Sequence, residues 1–213
     1  MLKPIKMFMI IILGALLSAC AIDTALQIEI GEGNNSTNNS NMTSLFDGTD
    51  LQNWEQIGDA EWRLTNGYVE GFENPGFLVS QQSYGDFRLI VEFWTDVSAN
   101  SGIFIRCQDN ENITSRNCYE VNIYDTRADQ TYRTGAIANI APPTTKIDAA
   151  NQWNRFEILA QGSQLVITLN GTETVNVSDG QLEAGYIALQ YSWNSQIYNT
   201  GVVRFREVSI QQL

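Results

Sequence analysis

The residues best able to do chemistry fall in three short runs where polar or aromatic side chains alternate with apolar ones. Glu92 and Trp94 alternate with Val91 and Phe93, Phe104 and Arg106 with Ile103 and Ile105, and Glu120, Asn122 and Tyr124 with Tyr119, Val121 and Ile123. Gln190, between Leu189 and Tyr191, is a fourth contributor. A polar side chain buried without a partner costs free energy, so such a row must face solvent, a cleft or other polar groups. Carboxylates, a guanidinium, amides and aromatic faces are what a sugar site requires. Each residue also has a structural reading. Arg106 with Glu92 or Glu120 would make a cross-strand ion pair that keeps a sheet in register. Trp62, Trp94 and Phe104 suit a core as well as a platform, and Trp54 and Trp153 read as core. Asp47 and Asp50 read as turn formers, although oxygen-rich turns can bind calcium.

The elements that must position these residues are strands. Period-two alternation recurs over 87–94, 103–106 and 119–124, with further runs at 156–160, 165–169, 174–177, 186–191 and 202–210. Asn170-Gly171 separates two of these runs, and because both positions tolerate positive φ it marks a hairpin turn. No long stretch after the first twenty residues carries a helical period. Many short strands in one domain of this size predict an all-β fold, a sandwich or jelly roll of two antiparallel sheets.

Residues 1–20 read as an export signal: Lys3, Lys6, an apolar run over 7–17, then Leu17-Ser18-Ala19-Cys20. The run is too short for a permanent span. Small residues before a cysteine resemble the lipobox of bacterial lipoproteins. That resemblance implies a lipidated Cys20, a membrane partner through its anchor and a place in the bacterial cell envelope; Ala21 in the next position implies the outer membrane. Residues 21–43 form an Asn/Ser-rich tether with almost nothing to bury, and 44–213 form the folded domain. Without the signal lysines the chain has 10 basic and 24 acidic residues, a net −14. This excludes a nucleic-acid or other phosphate-binding surface and suits a neutral ligand. With Cys20 assigned to lipid, Cys107 and Cys118 remain as a pair in an oxidising compartment, where a disulfide is favoured. The sequence has no histidine, so a transition-metal site is disfavoured. No cofactor is expected, with an oxygen-ligated divalent ion left open.

From Ser44 onward the chain carries, in order, SLFDGTDLQNW, EWRLTNGYVEG, YGDFRLIVEFW, ANSGIFIR, CYEVNIYD, TGAI, QWNRFEI, LNG, GYIALQY and VRFREVSI. This series resembles the 3-keto-disaccharide hydrolase family, also described as 3-keto-glucoside lyases and hydratases. The resemblance implies a concanavalin A-like jelly roll whose concave sheet holds a carbohydrate. It also implies cleavage of 3-keto-glycosides or 3-keto-disaccharides by elimination across C1–C2 and rehydration. In that chemistry a carboxylate removes the acidified hydrogen on C2, a cation stabilises the enolate and a donor protonates the leaving oxygen. The roles expected are Glu120 as base, Arg106 as stabiliser and Glu92 or Tyr124 as donor. Asn100, Asn122 and Gln190 would orient hydroxyls, and Trp94 and Phe104 would supply sugar platforms. Two positions depart from the family: Asn122 stands where glutamine is usual and Ala138 where tyrosine is usual. A non-catalytic carbohydrate-binding module is the alternative. A conventional glycosidase needs paired carboxylates, and the Glu120, Asn122, Tyr124 series keeps one acid.

One register constraint is built into this picture. If Cys107 faces Cys118 directly across a hairpin, Arg106 opposes Tyr119 and leaves the Glu120 face. Bringing Arg106 to Glu120 requires a stagger or a bulge beside the disulfide, unless the two strands are not neighbours.

Overall fold

A computed structural model describes residues 41–65, 67–193 and 201–213. The expected signal segment, the lipidated Cys20 and the tether up to residue 40 lie outside the described residues. Eleven strands follow: β1 (Thr43–Phe46), β2 (Trp54–Thr65), β3 (Tyr68–Tyr84), β4 (Phe87–Thr95), β5 (Asn100–Cys107), β6 (Tyr119–Ile123), β7 (Trp153–Gln161), β8 (Gln164–Leu169), β9 (Thr172–Ser178), β10 (Gly185–Ser192) and β11 (Val203–Gln212). One 3-10 turn at Gln130–Tyr132 is the sole helical element among the described residues.

All pairings are antiparallel, in the order β6-β5-β10-β3-β11-β4-β7-β8-β9, with β2 beside β3 and β1 beside β11. The strands make one continuous sheet that curls over itself into two facing layers. β3 carries the curl. Its first part, Val69–Gly71, pairs with β11, and its second part, Gly76–Tyr84, pairs with β10, while β2 follows it on the other edge. The strand turns from one layer to the other where Glu73 adopts φ 66° and where β2 bulges between Gly58 and Ala60. Gly71, Pro75 and Gly76 break the apolar period over this stretch, which is why alternation did not reveal β2 and β3.

The front layer is β2, β3, β10, β5 and β6, and the back layer is β11, β4, β7, β8 and β9 with β1. Ile103, Ile105, Val121 and Leu189 of the front layer pack in one buried core with Leu89, Val91, Phe93, Phe156 and Val203 of the back layer. Phe93 stacks on Phe156 with ring centroids 5.0 Å apart. Each such side chain withdrawn from water contributes roughly 1.5–3 kcal/mol. At the hairpin between β8 and β9, Asn170 and Gly171 have φ 50° and 79°, the conformations that a two-residue turn requires. The structure therefore bears out the all-β jelly-roll expectation, and Cys107 and Cys118 form a disulfide with their Cα atoms 4.2 Å apart.

Two expectations about aromatic residues divide. Trp54 is core, its indole N–H donating to the Leu45 carbonyl at 2.8 Å. Trp153 is not: it lies half-buried on the outer face of the back layer, with the Arg206 guanidinium 4.3 Å above its ring. The turn reading of Asp47 and Asp50 agrees with the structure, where their carboxylates accept from the amides of Thr49 and Gln52, each at 3.0 Å.

Candidate functional site

Strand register assembles the site. Because side chains alternate across a strand, the residues of the front layer that point away from the core line up in cross-strand rows. One row runs Val79, Ala188, Phe104, Glu120; the next runs Phe77, Gln190, Gly102, Asn122. Asn100, opposite Ser192, continues the same face. Phe77 and Phe104 meet edge to face at 5.4 Å, and with Val79, Ala188 and Ile57 they form a second apolar cluster on this face, bounded by the disulfide. The floor is thus aromatic and aliphatic, with Glu120 at one side and Gln190 beside its centre.

Glu120 is the chemically charged element of this face. Burial raises its carboxyl pKa to about 7, and the positive charge of Arg127 works against that rise. No described side chain hydrogen-bonds to the carboxylate. Desolvation without a paired partner is what brings a glutamate into the range where it exchanges a proton near neutrality. Gln190 has a related feature: its amide oxygen is buried and has no hydrogen-bond partner among the described residues. Such orphans are uncommon in folded proteins. Gly102 lies between the two in a closely packed position: a Cβ there would sit 3.2 Å from the Phe104 ring and 3.4 Å from the Glu120 Cγ.

The sequence alone gave no signal for the cation. The loop after β6 carries Arg127, half-buried, with its guanidinium 5.8 Å from the Tyr124 ring centroid and 5.1 Å from that of Tyr132. Tyr132 donates its hydroxyl to Asn139 at 3.1 Å, and Asn139 donates to Ser115 at 3.2 Å, so the loop closed by the disulfide buttresses the tyrosine. The loop holds its shape through two buried groups. Asp125 accepts from Thr134 and from the amides of Ala149 and Ala150. Arg133 donates to Gln130, the Ile147 carbonyl and Asp148. Nothing in the alternation pattern marks a loop residue such as Arg127; only the fold brings it to Glu120.

The expected site residues separate as follows. Glu120, Asn122, Phe104, Asn100 and Gln190 share the front face. The amide of Asn122 is already committed, donating to the Tyr132 carbonyl and accepting from the Ile123 amide. Tyr124, buried, lies at the end of β6 under Arg127. Arg106 is not in this set. Its φ is 52°, and β5 carries one extra residue there relative to β10, so a bulge does sit beside the disulfide, the feature that bringing Arg106 to Glu120 required. Its effect is to send Arg106 away from Glu120. The guanidinium is fully buried and donates to the carbonyls of Gly85, Gly162 and Leu182 and to Asp86. Gly185 makes room for this bulge, since a Cβ there would fall 2.3 Å from the Cys107 carbonyl oxygen.

Glu92 and Trp94 are not on this face either, because β4 pairs with β11 and β7 in the back layer. Glu92 accepts from Arg206 at 2.5 Å and faces Arg155 at 3.7 Å, while Trp94 lies 4.4 Å under Arg204. Among the described residues, no three of His, Cys, Asp and Glu converge as a metal site.

Comparison with known proteins agrees with this geometry. A provisionally assigned glycosyl hydrolase from Parabacteroides distasonis superposes with TM-score 0.70 at 19% identity, over 82% of this chain and 94% of that one. The carbohydrate-binding module CBM66 from Bacillus subtilis superposes with TM-score 0.56 at 19% identity, over 75% and 96%. The β-glucanase of Bacillus licheniformis gives TM-score 0.57 at 16% identity, over 80% and 97%. These likenesses establish the jelly-roll fold. Among curated proteins, no sequence matches the chain. The family profile that does match covers residues 41–211, almost the whole described domain, and by it the chain belongs to the 3-keto-alpha-glucoside-1,2-lyase-like domain family.

Proposed function

We propose that this protein acts on carbohydrate and cleaves 3-keto-glycosides, with Glu120 as the proton-abstracting base. The observation that carries this reading is a carboxyl with a pKa near 7, set beside an aromatic floor and an amide oxygen, both polar groups without a partner among the described residues. A single such carboxyl suits elimination better than two-carboxylate glycoside hydrolysis.

The ketone at C3 acidifies the hydrogen on C2. Glu120, ionised, takes that proton, and the electron pair of the C2–H bond moves toward C3 as an enolate. Arg127, held between Tyr124 and Tyr132, neutralises the developing charge, the part first expected of Arg106. The enolate then re-forms the ketone and makes the C1–C2 double bond as the C1–O bond breaks. The leaving oxygen takes a proton from Tyr124. Addition of water across C1–C2, hydroxyl to C1 and hydrogen to C2, completes net hydrolysis. Phe77 and Phe104 offer the apolar surface on which the C–H face of a pyranose packs. The proposal includes an envelope location, with the domain tethered through a lipid on Cys20; its support is the sequence of residues 1–20.

The test is turnover of a panel of 3-keto-glucosides by the soluble domain from Asn41, followed by mass spectrometry of released sugar. Glu120→Gln is expected to lower kcat by at least ~10³ with folding intact. If no keto-sugar is cleaved while glycans still bind, the protein is a binding module and the lyase reading fails.

A further inference from the structure

Beyond β6 the front layer continues into one more extended segment. Residues 135–138 run antiparallel to the strand: the Asn122 amide donates to the Ala136 carbonyl at 3.0 Å, the Ala138 amide donates to the Glu120 carbonyl at 2.9 Å, and Val121 bridges to Ile137. Ala138 therefore stands beside Glu120 and Ala136 beside Asn122 on the same face, and both alanines are buried. Tyr132 spans this pair. Its backbone carbonyl accepts from the side-chain amide of Asn122, and its hydroxyl donates at 3.1 Å to Asn139, the residue after Ala138. Asn139 in turn donates to Ser115 at 3.2 Å. The tyrosine is thus tied at its backbone and at its hydroxyl along the Glu120 side of the face, with the Arg127 guanidinium 5.1 Å from its ring centroid.

We infer that Tyr132 is the positioning residue for Arg127: braced between Asn122 and Asn139, its ring fixes the guanidinium beside Glu120 without neutralising it. The inference rests on the reading of Arg127 as the cation of a keto-sugar site and adds the device that holds it there. An arginine is ordinarily fixed by a carboxylate, whose charge cancels the field that the guanidinium lends to a developing enolate. An aromatic face attracts the guanidinium through its quadrupole and leaves the net charge in place. Among the described residues Arg127 makes no ion pair, and Tyr124 and Tyr132 supply two such faces. The cross-strand neighbours of Glu120, Phe104 and Ala138, carry no charge, so Arg127 is the charge whose position the carboxyl senses. Asn122 belongs to the same brace: its side-chain nitrogen donates to Tyr132 and its oxygen accepts from the Ile123 amide, which locks the start of the wall to β6.

The experiment follows the Glu120 carboxyl by carbon NMR titration of the soluble domain from Asn41, its resonance assigned by loss in Glu120→Gln, beside turnover of a 3-keto-glucoside. Arg127→Ala removes the charge and is expected to raise the titration midpoint above its wild-type value of about 7. Tyr132→Leu is expected to move the midpoint the same way and to lower kcat roughly 10-fold, with KM changed less than about 3-fold. The Tyr132→Leu/Arg127→Ala double variant is expected to titrate as Arg127→Ala does. Tyr132→Phe keeps the ring and loses only the bond to Asn139, so its midpoint is expected between those of wild type and Tyr132→Leu; it carries the test where Tyr132→Leu does not fold. A residue that only supports the loop lowers the unfolding temperature and leaves the Glu120 midpoint where it was. If Arg127→Ala or the folded Tyr132 variants titrate as wild type, or if the Tyr132→Leu shift adds in full to that of Arg127→Ala, the inference is overturned. The titration needs no substrate, so absence of turnover by wild type on any keto-sugar rejects the keto-sugar reading separately from the placement of Arg127.

Discussion

At the scale of single residues, the structure divides two arginines that composition treats alike. Arg106 ties three backbone carbonyls and Asp86 together from inside the fold, so Arg106→Ala is expected to cost about 3 kcal/mol of stability, read as a fall in denaturation midpoint. Arg127 holds no ion pair within 4 Å among the described residues. Arg127→Ala should leave unfolding within about 1 kcal/mol of wild type while lowering keto-sugar turnover by roughly 10²-fold. Observation of the reverse pattern would return the catalytic role to Arg106. Glu120 makes a pH prediction. Its folded pKa, raised by burial to about 7 against 4.5 in an exposed chain, means that the folded state binds the proton more tightly than the unfolded state. The protonated carboxyl therefore favours folding below pH 4.5, and that contribution is lost as pH rises through 7, by about 3 kcal/mol in all. Glu120→Gln should be more stable than wild type at pH 8 and equal to it near pH 4.5, measured by urea unfolding. Glu120 itself was legible in the sequence from its alternation with Tyr119 and Val121. Arg127 was not, because a loop residue carries no period and its position depends on Asp125 and Arg133 shaping residues 125–150.

At the scale of elements, the disulfide and the bulge set what reaches the site. The Cys107–Cys118 bridge closes a loop of eleven residues' separation and supports Ser115, Asn139 and Tyr132. Replacing both cysteines with serine should cost about 2–3 kcal/mol by calorimetry, and it should also weaken turnover by loosening the stack on Arg127. Gly185→Ala is expected to be more damaging than a surface change, near 3 kcal/mol or beyond, since its Cβ meets the backbone of Arg106 and Cys107. A stable, active Gly185→Ala protein would mean that the bulge is not required. Alternation located β4 to β11 because each strand presents one apolar face to the core. It missed β2 and β3, whose job is to bend between layers through Gly58, Glu73 and Gly76, and it grouped Glu92 and Trp94 with the front row. Period two tells which residues share a side of a strand; which layer the strand joins depends on pairing distant in sequence, here β4 with β11 and β7.

At the scale of the whole molecule, the two layers differ in character. The back face is a closed network: Glu70 accepts from Arg63 and Arg204, each at 2.6 Å, and Glu92 accepts from Arg206. Burial of Glu70 opposes its ionisation, but those two guanidinium bonds outweigh it and hold its pKa below the usual value. Among the described residues, the front face instead leaves a carboxyl and an amide oxygen unpaired on an apolar floor, the asymmetry expected when one layer holds the fold and the other meets a ligand. The strongly acidic chain, at a net −14 after the signal lysines, suits a neutral sugar on that face. The most direct test of the central claim is the exchange of the C2 hydrogen of a 3-keto-glucoside with deuterated water, followed by NMR in the presence of wild-type protein, Glu120→Gln and Arg127→Ala. Enzyme-dependent exchange at C2 that disappears in Glu120→Gln and slows in Arg127→Ala is the predicted result. Exchange and cleavage that persist unchanged in Glu120→Gln would contradict it.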